Sequence, residues 1–232
     1  VDDDGGAMQR ASGRLALAHW LTDPDHPLTS RVMVNRIWSH LFGSGLVRTA
    51  DNFGVSGEAP SHPELLDYLA IRFRENGWSV KALVREMVLS RTYRQGSGYR
   101  EAAFRKDPDN RLLWRASRRR QDAEVLRDSM LAASGLLDPS PRPASLAAEI
   151  HSHSVSIIGF DKKIPPDLDG SNHRSIYLPV FRENLPDVLH LFDFAEPSLV
   201  VGRRDETNVP LQALYLMNSE FVQGQSDAFA RR

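Results

Sequence analysis

Apolar side chains between Thr29 and Phe42 recur at helical spacing. Placed at 100° per residue, Met33, Val34, Ile37, Trp38, Leu41 and Phe42 fill about half the circumference, leaving Asn35, Arg36, Ser39 and His40 on the other half. So wide a stripe predicts a helix buried between neighbours, with Thr29 or Ser30 as its cap. A helix is predicted before it from Ala7 or Gln9 to Leu21, turning Leu15, Ala18 and Trp20 or Leu21 inward, and Pro24 and Pro27 close it. Ser61 and Glu64 have the spacing of a capping box, with Pro63 tolerated in the first turn, and begin a third helix to about Glu75 that Gly77 ends. Ser79 caps a fourth, in which Val80, Leu83, Val84, Met87 and Val88 keep the i, i+3, i+4, i+7 pattern.

Elsewhere the period fails or weakens. Gly43 to Pro60 is a long loop with four glycines, and loops of that length without periodicity are more often functional or packed than featureless. Gly96 to Asn110 reads as a polar connector, followed by a helix from about Arg119 to Leu136 or Leu137 and a proline-rich break at Asp138 to Pro143. Val155 to Phe160 and Ser175 to Leu178 are the strand candidates, and Asp167 to Asn172 is loop-like. A short helix is predicted near Leu185 to Phe192, and a final one runs from Pro210, capped by Asn208 or Val209, into the tail. The pattern predicts a mainly α protein: an irregular multi-helix bundle with long loops and at most a small two-stranded β element. It is read as a single mostly helical domain over residues 1–232, with 1–8 a flexible linker at the edge of a larger protein and 138–173 an irregular insertion.

Composition narrows the function classes. With 29 basic against 30 acidic residues the net charge is -1, which argues against a general nucleic-acid binder. The absence of cysteine excludes disulfides, thiolate nucleophiles, zinc-thiolate sites and covalent haem attachment within these residues. No cofactor is expected in the chain. No apolar run approaches the roughly 20 residues that cross a bilayer, so no membrane insertion is expected. There is no G-x-S-x-G elbow, Walker loop or dinucleotide fingerprint.

Charge is unevenly placed. Ten basic residues stand against three acidic ones between Arg91 and Arg120, and nine of the ten are arginines, whose planar fork suits carboxylate, sulfate or phosphate. Arg115, Arg118, Arg119 and Arg120 are the leading ligand-binding candidates, with Arg203 and Arg204 as an extension of the same surface. The competing reading is that these arginines pair internally with the acidic remainder. Asn218 and Gln225 fall inside the apolar arc of the last helix, either as satisfied structural amides or as the wall of a ligand pocket. Asn35, Arg36 and His40 form a second polar candidate on one helix, with a structural hydrogen bond as the competing account of His40. Asp51 and Glu58 are unassigned loop carboxylates that a glycan-active enzyme would use as its pair, whereas Glu64 reads as a cap and Asp67 as an exposed helical residue. Glu149, His151 and His153 lie close together without a recognised metal-ligand spacing, so no metal site is assigned.

The segments LAHWLTDPDHPLTSRVMVNRIWSHLFGSGLVRTADNFG (Leu17 to Gly54), HPELLDYLA, LSRTYRQ, DPDNRLLWRASRRRQDAEVLRDSML, RSIYLPVFR and RRDETNVPLQALYLMNSEFV together resemble a planctomycete C-terminal domain of unknown function. That family is found in exported proteins that also carry planctomycete cytochrome c-type domains. The resemblance covers nearly the whole chain, less so Asp138 to Asn172. It implies an extracytoplasmic location and other domains of the parent protein as partners, a cytochrome c-type domain among them, and brings no active site. Residues and resemblance together predict a non-catalytic accessory or interaction domain that engages an anionic polysaccharide or a neighbouring domain through its arginines. The alternative is a glycan-active enzyme using the Asp51 to Glu58 loop, and no catalytic residue is assigned.

Overall fold

The computed structural model describes residues 13–141, 171–178, 180 and 185–232. They divide into two compact units between Arg119 and Arg120. Nine α-helices and one 3-10 turn are seen, and a single parallel bridge, Asp138 with His173, is the one β pairing among the described residues. The mainly α expectation holds.

The first unit carries α1 (Gly13–Thr22), α2 (Thr29–Phe42), α3 (Pro63–Glu75), α4 (Val80–Leu89) and α5 (Glu101–Lys106). Its core joins Val34, Ile37 and Trp38 of α2 to Leu66, Leu69, Ala70 and Phe73 of α3 and Leu83 and Met87 of α4, with Leu46 and Val47 of the intervening loop. Trp38 stacks on Phe42 with ring centroids 3.9 Å apart, and Phe73 meets Trp78 edge-on. The predicted stripe of α2 is narrower than the sequence suggests: Val34, Ile37 and Trp38 are buried, Leu41 and Phe42 half-buried, and Met33 exposed.

Ends of helices are satisfied in ways the sequence only partly foretells. The predicted Ser79 cap forms, its hydroxyl accepting from Ala82 N at 3.3 Å. Neither Thr29 nor Ser30 caps α2. Instead His26 Nδ1 accepts the N–H groups of Leu28 and Thr29 at 3.3 and 3.1 Å. The capping box of α3 does not form, because the Ser61 hydroxyl turns to His62 Nδ1 at 3.0 Å and the cap position falls to His62. Gly43, at φ 85°, closes α2 in the left-handed conformation that a side chain would strain. The expectation that α1 turns an apolar face inward fails: none of its residues is buried, and Leu15, Leu17 and Trp20 are all more than half exposed. Periodicity gives a helix a face without supplying a neighbour to cover it. The proposed start at Ala7 or Gln9 lies outside the described residues.

The second unit carries α6 (Ala123–Ser134), a 3-10 turn (Ser175–Tyr177), α7 (Asp187–Leu191), α8 (Pro210–Asn218) and α9 (Glu220–Arg231). A small cluster of Ala123, Val188, Leu189 and Phe192, with Tyr215 packed against it, joins α6, α7 and α8. Ser175 to Leu178, predicted as a strand, is the 3-10 turn, since the Ser175 hydroxyl and N–H both bind Asp128 Oδ1, at 2.6 and 2.8 Å, and curl the segment against α6. The single final helix is two, broken at Ser219, whose extended backbone starts the second. The predicted apolar arc therefore does not stay on one face, and Leu211, Leu214, Met217 and Phe229 are exposed. The strand candidate Val155 to Phe160 lies outside the described residues.

Candidate functional site

The segment from Asp107 to Ser117 is a rigid turn assembled by short polar side chains. Asp107, largely buried, receives the N–H groups of Arg111 and Leu112 on its two carboxylate oxygens, at 2.9 and 2.7 Å, and its carbonyl accepts the Trp114 indole N–H at 2.9 Å. Asn110 is equally committed, with its amide nitrogen donating to Arg115 O and its amide oxygen accepting from Arg115 N. Asn110 and Leu113 both have positive φ, 54° and 55°. Asn tolerates that region, but a leucine there costs about 1 kcal/mol or more and needs neighbours to enforce it. Those neighbours are the apolar core of the first unit, against which Leu113 packs, and Gln95, whose amide donates to Leu113 O.

The reversal presents Trp114 and Arg115 together. The Arg115 guanidinium carbon lies 4.6 Å from the Trp114 ring centroid and 6.0 Å from that of Tyr99, and Arg100 lies 5.7 Å from the same indole while donating to Trp114 O. Tyr99 is 54% exposed. Its hydroxyl donates to Glu101 at 2.6 Å, a hydrogen bond that raises the phenol above its ordinary value. The same bond, with a second from Arg105, holds the Glu101 carboxyl below its own.

The predicted arginines divide by what holds them. In the first unit, Arg115 is stacked as described, Arg118 is exposed, and Arg119 donates to His40 O. In the second, Arg120 donates to Thr207 O and to Gln212 Oε1 and lies over the Phe192 ring. Arg203 is exposed, 3.7 Å from Glu206. Arg204 grips Glu124 bidentately at 2.6 and 2.8 Å and lies over Phe194. Burial by itself would raise the Glu124 carboxyl, but hydrogen bonds from Arg204 and the backbone, with the guanidinium charge, outweigh it and leave it below its ordinary value. The partner bond from Glu124 raises Arg204.

Polar candidates mostly become structural pins. Asn35 has no exposed surface, and its amide donates to Val47 O and accepts from Val47 N, both at 2.9 Å. Gly45 lies so close that a Cβ there would stand 2.8 Å from both polar atoms of that amide. Arg36 and His40 are exposed on the same helix. Glu58 accepts from Arg48 at 3.0 Å, and Asp51 is exposed in the same loop. Asn218 is exposed and bonds back to Leu214 O, while Gln225 accepts from the Ser134 hydroxyl at 2.6 Å.

Several residues of the site are not singled out by the sequence pattern. Tyr99, Arg100 and Trp114 complete the surface around Arg115, and the run Asp107-Pro108-Asp109-Asn110 was the turn signal that could have found it. Arg127 carries no functional motif in the sequence, although it shares a helical stripe with Ala123, Leu131 and Ser134. It is fully buried, donates to the carbonyls of Ser171 and His173, and lies over the Phe221 ring. Among the described residues no group of three His, Asp or Glu is placed to hold a metal ion. Glu149, His151 and His153 lie outside those residues.

Among the described residues no helix is long and apolar enough to cross a membrane. Residues 13–232 match the model of the family described as PSD1, protein of unknown function (DUF1553), and the chain belongs to that family. Neither the curated proteins nor the solved structures compared with the chain give a match.

Proposed function

We propose that this chain is a non-catalytic interaction domain of an exported multidomain protein, binding an anionic polysaccharide through arginines of its first unit. The planctomycete setting, the extracytoplasmic location and a cytochrome c-type domain among its partners belong to the same proposal and rest on the family resemblance. The carrying observation concerns Arg111, Arg115 and Arg118. Among the described residues none of their guanidinium groups has a carboxylate or hydrogen-bond partner, whereas Arg119, Arg120 and Arg204 are taken up within their own units. Cations left unpaired on a rigid turn keep their charge available to a polyanion, and such attraction weakens as salt shortens its reach to about 8 Å at physiological ionic strength.

The test is calorimetric titration of the full chain with polygalacturonate and with dextran sulfate at rising salt, beside neutral dextran. Binding of the polyanions that falls steeply with salt, and is lost in Arg111→Glu/Arg118→Glu while the helical circular dichroism persists, supports the reading. Absence of polyanion binding at low salt refutes it.

A further inference from the structure

Resting on that reading, we infer that Arg115, held between Trp114 and Tyr99, is the specificity element of the surface and selects a carboxylate-bearing sugar ring, a hexuronate unit, over a sulfated one. Lying over the two rings, the guanidinium is held by the attraction of its charge to their faces and spends none of its N–H donors on an oxygen acceptor. No acceptor among the described residues takes those donors, and both backbone groups of Arg115 are fixed by Asn110, so the fork is positioned before any ligand arrives. A planar fork with two parallel N–H donors pairs bidentately with either anion, but a carboxylate is a much stronger base than a sulfate monoester and carries its charge on two oxygens rather than three, so the charge-assisted pair favours the hexuronate. The exposed Tyr99 ring beside it offers a flat apolar surface for the C–H face of the sugar. Arg111 and Arg118, exposed and unstacked, attract either kind of polymer by charge alone.

Backbone strain supports the assignment. Leu113 is held left-handed directly before Trp114 and Arg115, and strain of that kind persists only where the surroundings over-determine it.

Arg115→Lys in the full chain keeps the charge and removes the fork. The expected result is about a tenfold or greater loss of affinity for polygalacturonate, the scale of a lost bidentate charge-assisted pair, with a clearly smaller loss for dextran sulfate. The Trp114 indole N–H, anchored on Asp107 O, supplies a reporter in two-dimensional proton-nitrogen NMR spectra and is expected to shift with polygalacturonate in the wild-type protein. Its unchanged position in the unliganded variant shows that the turn has kept its fold. Tyr99→Ala, at an exposed position, is expected to weaken the polyuronate selectively as well. Equal losses for both polymers, or no loss for either, overturn the selective role of Arg115 and leave the polyanion reading standing. Failure of the wild-type protein to bind either polymer overturns both.

Discussion

Replacing Asn35 by Ala tests whether this buried amide is a pin or a ligand contact. Its side chain joins α2 to the following loop through both polar groups of Val47, a residue only 3% exposed. Truncation leaves a buried N–H and a buried C=O without partners, at about 1 to 3 kcal/mol each, so a loss of about 2 to 6 kcal/mol is expected. For a unit of this size that corresponds to a melting point lower by roughly 10 to 20 °C. Urea unfolding followed by tryptophan fluorescence is the suitable assay, because Trp20, Trp38, Trp78 and Trp114 all belong to the first unit and report on it selectively. Asn35→Asp sharpens the test. Its carboxylate still accepts from Val47 N–H but sets a second oxygen against Val47 O, a clash that protonation relieves by supplying a donor. That variant should therefore regain stability as pH falls into the carboxylate range. An Asn35→Ala protein within about 0.5 kcal/mol of wild type would refute the pin and return Asn35 to the list of ligand contacts.

Other perturbations probe other parts of the molecule. Trp38→Ala removes a buried ring stacked on Phe42 and is expected to cost about 3 to 5 kcal/mol by the same fluorescence assay, read on the remaining tryptophans. Gly57→Ala places a Cβ 2.0 Å from Asn52 O, so the 43–60 loop must open; faster hydrogen exchange at Asn52 and Glu58 is expected, and unchanged protection there contradicts the contact. Glu124 is depressed in the folded state, so its bond to Arg204 stabilises the second unit fully above the ordinary carboxylate range and is lost as pH falls through the lower folded value. Glu124→Gln should flatten that acid limb, measured as α6 amide exchange across the acid range. Arg127→Ala orphans the carbonyls of Ser171 and His173 and should cost about 3 to 5 kcal/mol of second-unit stability, seen as loss of far-ultraviolet dichroism at lower urea.

Strong local signals in the sequence survive folding because they depend on neighbours three and four residues away. The span of α2, the Ser79 cap, the stop at Gly77 and the mainly helical class follow from periodicity and local chain chemistry. Clustered arginines were likewise legible, since composition is local. What α1 faces, how the last helix breaks, and that Asn35 turns inward to Val47 depend on contacts between distant segments, to which a helical period is blind. The same reason decided the candidate site. Charge lists treat Arg115, Arg119 and Arg204 alike, yet one is stacked on Trp114, one is spent on the carbonyl of His40 and one is closed on Glu124. Only the tertiary fold brings the acceptor that neutralises a guanidinium or withholds it, so only the structure determines which cations remain for a ligand.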